Sequence, residues 1–181
     1  METQERRVFA VVVDNEPGVL ARVVGLFSGR GYNIASLTVS EIDHSSARSR
    51  ITIVTSGTPM VLEQIKAQLD RLVPVHAVAD LTKPKRRADY GYVERELLLV
   101  KVVASGDQRV ECLRLADAFR ARPVDATKDS FIFEVTGKPD KIDAFIDLMR
   151  GLGDVEVSRT GSAAISRGAE TLSRSDPALA G

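Results

Sequence analysis

Hydrophobic and polar positions follow two kinds of spacing along this chain, and the switches between them mark its elements. Arg7 to Asp14, RVFAVVVD, is a short β-branched run bounded by turn residues, the pattern of a buried strand. In the next stretch, NEPGVLARVVGLFSGRGYNI, the residues Leu20, Val23, Val24 and Phe27 fall at i, i+3, i+4 and i+7, which predicts one face of an amphipathic helix. Pro17 suits a first helical position, where its missing N–H costs nothing, and Gly31 suits a left-handed C-terminal cap. NIASLTVSEI and RSRITIVTSG read as two strands, with DHSSA as the hairpin loop between them. Leu62, Ile65, Leu69 and Leu72 predict a second helix, entered through Thr58-Pro59 and stopped by Pro74, and VHAVADL a fourth strand. The order is βαββαβ, the ferredoxin-like plan.

After a break the plan repeats in weaker form. TKPKRRADYGYVERE carries five basic residues, a proline and a glycine, and reads as a linker. LLLVKVV is then a strand, Cys112, Leu115, Ala116 and Phe119 form a helical face, and PVDAT and SFIFEVTG are strands. Ile142, Phe145, Ile146 and Met149 form another helical face, and DVEVSRTG closes the unit. The fold expected is α+β, with two ferredoxin-like units: a first domain over 1–82, a basic linker over 83–96, a second domain over 97–167 and a small, polar, disordered tail over 168–181.

Composition changes this picture mainly by exclusion. Lys+Arg and Asp+Glu stand at 25 each, so no net charge draws the chain to nucleic acid or an anionic membrane. A single cysteine, Cys112, rules out an internal disulfide framework and a Cys-based zinc site. The first residues hold no apolar run of signal-peptide length, and no run is long enough to span a bilayer, so a cytoplasmic chain is expected. His44, in the hairpin loop, and His76, at a strand start, lack neighbours at metal-ligand spacing. No GxSxG elbow, P-loop or dinucleotide fingerprint appears, which leaves an enzymatic reading without residues. RNA-binding domains of this topology place stacking aromatics on the third strand. RSRITIVTS has none, and Phe131 and Phe133 in KDSFIFEV read as core.

What remains is the turn before the first helix. A helix start presents unpaired N–H groups at the positive end of the helix dipole, a seat for carboxylate or phosphate. Gly18 lets a small ligand approach the backbone, and Asn15 and Asn33 each offer an amide donor and acceptor. Edge-strand pairing across a twofold axis would bring the turn of one chain towards Asn33 of the other. The residue types leave two readings: a pocket for a free amino acid at a dimer interface, or a tight strand-to-helix turn and nothing more.

At these residues the chain resembles the ACT domain, a small-molecule-sensing module marked by a Pro-Gly-hydrophobic turn before its first helix. NEPGVLARVVGLFSGRGYNIASLTV is similar to the N-terminal signature of the small, regulatory subunits of acetolactate synthase (acetohydroxyacid synthase). VERELLLVKV, FRARPVDATKDSFIFEVTGKPDKIDAFIDLM and EVSRTGSAAISRG resemble their later segments in order, from about Arg7 to Gly168. The chain departs in its basic linker and at Pro123, where an aliphatic residue is usual. The resemblance implies a non-catalytic chain that binds and activates a large catalytic subunit and confers feedback inhibition by valine in branched-chain amino-acid biosynthesis. It implies a homodimer through ACT domains and no cofactor of its own, with thiamine diphosphate, Mg and FAD in the large subunit. Matching effector positions are Asn15, Gly18, Val19, Leu20, Asn33 and Ile34. A free-standing ACT sensor serving another enzyme is the alternative.

Overall fold

Strand β1 (Glu5–Asp14) is the centre of the first half: Arg7 to Val13 are buried without interruption, so both faces of the strand are covered. It pairs antiparallel with β3 (Arg48–Gly57) and with β4 (Val75–Asp80), while β2 (Ser36–Asp43) pairs with β3 at the edge, giving the order β2-β3-β1-β4. Helices α1 (Val19–Ser28) and α2 (Pro59–Leu69) lie on one face. There Phe9, Val11 and Val13 meet Val23, Phe27, Leu62, Ile65 and Leu69 in one apolar cluster. The computed structural model describes residues 3–43, 45, 47–83 and 91–172. His44, 84–90 of the expected linker and 173–181 of the expected tail lie outside them.

The stripe of α1 differs from the expected one. Val19, Val23, Leu26 and Phe27 are buried, whereas Leu20 is 43% exposed. Pro17 is not the first helical residue, because Pro17 and Gly18 are consumed by a turn and the helix begins two residues later, at Val19, whose side chain turns into the core in place of Leu20. Gly31 does adopt the left-handed conformation, at φ 68. The N–H groups of Gly31 and Tyr32 return to the carbonyls of Ser28 and Phe27, and the Tyr32 ring packs edge-on against Phe27 at 6.3 Å, the paired bonds and apolar contact of a Schellman stop. Helix α2 has Pro59 in its first turn, and the Thr58 hydroxyl oxygen accepts the Val61 N–H at 3.4 Å.

The second half repeats the order with β5 (Tyr92–Val103), α3 (Gly106–Phe119), β6 (Arg122–Ala126), β7 (Ser130–Gly137), α4 (Pro139–Arg150) and β8 (Asp154–Arg159), arranged β6-β7-β5-β8. Ile142, Phe145, Ile146 and Met149 of α4 are all buried, as their spacing predicts. Phe131 and Phe133 are core, stacked on one another at 5.3 Å, with Phe133 edge-on to Phe145. Pro123 sits on the exposed edge strand β6, beside a register shift, where its missing N–H breaks no central ladder.

A last short strand, β9 (Ala163–Ser166), was not among the predicted elements. The described residues up to Val93 and those from Ser162 onward form one compact unit, and Glu94–Gly161 the other. Residues 162–166, grouped by sequence with the second domain, therefore belong with the first. Ser162 donates its N–H to the Ser36 hydroxyl, Arg50 donates to the Ala164 carbonyl at 2.7 Å, and Ala164 packs with Val8, Ala10, Val54 and Leu81. This strap covers the sheet face that α1 and α2 leave open. Likewise β5 begins at Tyr92, inside the stretch expected to be linker, and Tyr92 joins the same apolar cluster.

Candidate functional site

The turn between β1 and α1 is built from four residues with distinct tasks. Pro17 occupies the second position and Gly18 the third, at φ 87 and ψ −9, and the Val19 N–H returns to the Glu16 carbonyl at 3.4 Å. These are the marks of a type II turn, which requires φ > 0 at its third residue and so selects glycine. Space above Gly18 is open: a Cβ built there meets nothing within 4 Å. Asn15, Glu16, Pro17 and Gly18 are all exposed.

The start of α1 is also chemically bare. Gly18 as N-cap supplies no side-chain acceptor, and no acid stands in the first turn. The other three helices each carry one or the other: α2 has the Thr58 oxygen, α3 has Asp107 and α4 has Asp140. Among the described residues, α1 alone therefore presents the positive end of its dipole without a cap or first-turn acid of its own. Leu20 stands exposed in this first turn, an apolar surface next to polar donors. The Val19 side chain is buried in the core, so only its backbone faces the turn, and its N–H is already engaged with Glu16.

Asn33 and Ile34 lie at the other end of the helix. Asn33 is exposed, and its carbonyl accepts the buried Thr55 hydroxyl at 2.6 Å; Ile34 is half-buried against the core. The ten residues of α1 span roughly 15 Å, so one chain does not bring Asn15 and Gly18 together with Asn33 and Ile34 around a small molecule. The six candidate residues fall into two groups, at the two ends of one helix.

Two features at the first group escape sequence reasoning. The Asp14 carboxylate lies 2.5 Å from Nε2 of His76, a residue 62 positions away that the sequence placed only at a strand start. The Asn15 N–H is held by the carbonyl of Ala47 at 2.7 Å, and Ala47 itself takes a left-handed φ of 47. Among the described residues no three His, Cys, Asp or Glu side chains are grouped to hold a metal. Cys112 is buried, and that burial pushes its thiol upward, away from the reactive thiolate. A shallow cleft of about 440 Å³ in the second unit, lined by Arg95, Thr136 and Lys138 among others, contains none of the six candidate residues.

Comparison with known proteins bears on both halves. Residues 9–77 match the AHAS small subunit-like ACT domain, and residues 95–168 match the small subunit of acetolactate synthase. A probable acetolactate synthase small subunit from Archaeoglobus fulgidus is 48% identical over 90% of this chain and 98% of its own length. The small subunit of acetolactate synthase isozyme 3 from Escherichia coli is 44% identical over 90% of this chain and 96% of its own. The crystal structure of an acetolactate synthase small subunit from Thermotoga maritima superposes with a TM-score of 0.77 at 33% identity, covering 92% of this chain and 99% of that one. No described helix is long and apolar enough to cross a membrane.

Proposed function

The chain belongs to the family of acetolactate synthase small subunits, regulatory chains whose catalytic partner is the large subunit, and from that premise we propose that it senses valine at the turn before α1. The observation that carries this reading is the bare start of α1, with open space over Gly18 and no carboxylate or hydroxyl of its own to cap it. The N–H groups of Gly18, Val19 and Leu20 face the carboxylate of the amino acid, with Val19 contributing least because the turn already uses its N–H. The side-chain carbonyls of Asn15 and Asn33 take the ammonium, and Leu20 and Ile34 receive the isopropyl group. A hydrophobic wall of this kind favours valine over alanine by roughly 1–3 kcal/mol.

Because the half-sites lie at opposite ends of α1, a complete site takes the turn from one copy and Asn33 with Ile34 from a second. The edge strand β2 supports such pairing: among the described strands it stands at the end of the order, with β3 as its neighbour, and Val39 and Ile42 are 43% and 47% exposed on it. Inhibition follows if valine binds one arrangement of the paired domains better than another, and that arrangement activates the large subunit poorly; equal affinity for both would shift nothing. The reaction chemistry lies with the large subunit, to which thiamine diphosphate, Mg²⁺ and FAD are assigned. The small chain acts by population shift alone.

The test is calorimetric titration of the full chain with valine, alanine and lysine, alone and with the large subunit. Saturable heat for valine and little for the other two is the expected result. Silence for valine under both conditions overturns the sensing role.

A further inference from the structure

Resting on the valine-site reading, we infer that His76 and Asp14 form a positioning pair that holds the effector turn in register and sets how tightly valine is bound. The pairing of β1 with β4 shifts at this point: Val12 stands opposite Ala77 and Val13 opposite Val75, which leaves His76 as the extra residue of a bulge. A bulge re-aims the side chain of its extra residue, and here the imidazole reaches Asp14 with Nε2 at 2.5 Å from Oδ1. A carboxylate only accepts, so Nε2 carries the proton in this contact. Asp14 is the last residue of β1 and the immediate neighbour of Asn15.

Two backbone bonds fix the same place. The Asp14 N–H donates to the Pro74 carbonyl at 2.9 Å, and the Asn15 N–H donates to the Ala47 carbonyl at 2.7 Å. The turn is thus held from the β2–β3 hairpin on one side and from the approach to β4 on the other. The His76–Asp14 bond is the one member of this set that a side-chain substitution removes. Three residues separate Asp14 from the donors after Pro17, and a carboxylate bonds those donors well only over a few tenths of an ångström. Release of the strand end therefore appears as weaker effector binding before it appears as unfolding.

Calorimetry on the full chain tests this with His76→Leu, His76→Gln and Asp14→Asn, each paired with a thermal unfolding midpoint. His76→Leu is expected to weaken valine binding about tenfold, the order of a lost charge-assisted hydrogen bond. His76→Gln, whose amide N–H reaches the same carboxylate, is expected to restore affinity to within about twofold. Asp14→Asn, which keeps an acceptor but removes its charge, falls between them. The positioning role is overturned if His76→Gln binds as poorly as His76→Leu, if all three bind like the unaltered chain, or if affinity falls only in step with the midpoint. Should His76→Leu fail to fold, Asp14→Asn against the unaltered chain decides the same question. Gly18→Asp in the same titration, read against Gly18→Ala because any side chain is strained at a φ of 87, separates the two levels: if Gly18→Asp binds far worse than Gly18→Ala while the His76 and Asp14 variants bind normally, the effector site stands and the positioning role falls, and if it binds no worse than Gly18→Ala, the site itself falls.

Discussion

The two units of this chain share one topology and use it in opposite ways. In the first, the helix after the opening strand starts at a bare glycine; in the second, α3 starts after Ser105 and carries Asp107 in its first turn. The second helix start thus supplies its own negative charge where the first leaves room for a ligand's. Their outer sheet faces also differ. Val8, Ala10 and Val54 are sealed under the strap of residues 162–166, whereas the corresponding face of the second sheet carries Leu99, 38% exposed, with the cross-strand ion pairs Lys101–Glu156 and Arg122–Glu134. Fold alone therefore fixes neither the charge at a helix start nor a covered face; a few residues at the helix start and one returning segment do.

The sharpest way to break this comparison is to place the same charge on both outer faces. Val8→Asp buries a carboxylate among apolar groups and is expected to destabilise the first unit by about 3–5 kcal/mol, enough to unfold it. Leu99→Asp, on the partly open face, is expected to cost about 1 kcal/mol or less. Denaturant titration of both variants compares them directly, and equal losses would refute the distinction between sealed and open faces. Next in size is Gly18→Asp, which sets a carboxylate where the proposed site would seat that of valine, on a backbone whose φ of 87 already disfavours a side chain, and is expected to raise the inhibitory valine concentration at least about 100-fold. Retained inhibition in the reconstituted enzyme would remove the turn from the site. Asn33→Ala removes one polar partner and is expected to weaken valine binding about tenfold, read by calorimetry. The smallest effect is reserved for the second helix start: Asp107→Asn should lower stability by about 0.3–1 kcal/mol and leave valine inhibition where it was.

Much of the architecture was legible because its signals are local. The face of α4 and the capped, proline-started α2 follow directly from spacing and end residues. The α1 stripe holds Val23 and Phe27 as expected but takes Val19 and Leu26 in place of Leu20 and Val24, and the helix starts two residues late, because Pro17 and Gly18 have two good uses, as a helix start or as the middle of a type II turn, and the hydrogen bond from Val19 to Glu16 shows the second. The β9 strap was invisible for a different reason. SAAIS has neither a strong periodicity nor bulk, and its place is decided by the small residues of a sheet more than a hundred positions earlier. Of the six candidate residues, the turn was readable as a donor-rich helix start, but their division into two groups required the length and direction of α1. The Asp14–His76 contact depends on a bulge, which no spacing rule announces.

The strap has a consequence for how this chain can be cut and exchanged. The polypeptide leaves the first unit near Val93 and re-enters it at Ser162, so the second unit is an insertion spliced into the first rather than a module appended to it. A stop codon after Gly161 would spare every residue of the second unit and strip the first of its cover, exposing Val8, Ala10 and Val54 to aggregation. A first unit intended to stand alone must instead be made by joining the segment up to Val93 to the segment from Ser162 through a short designed loop.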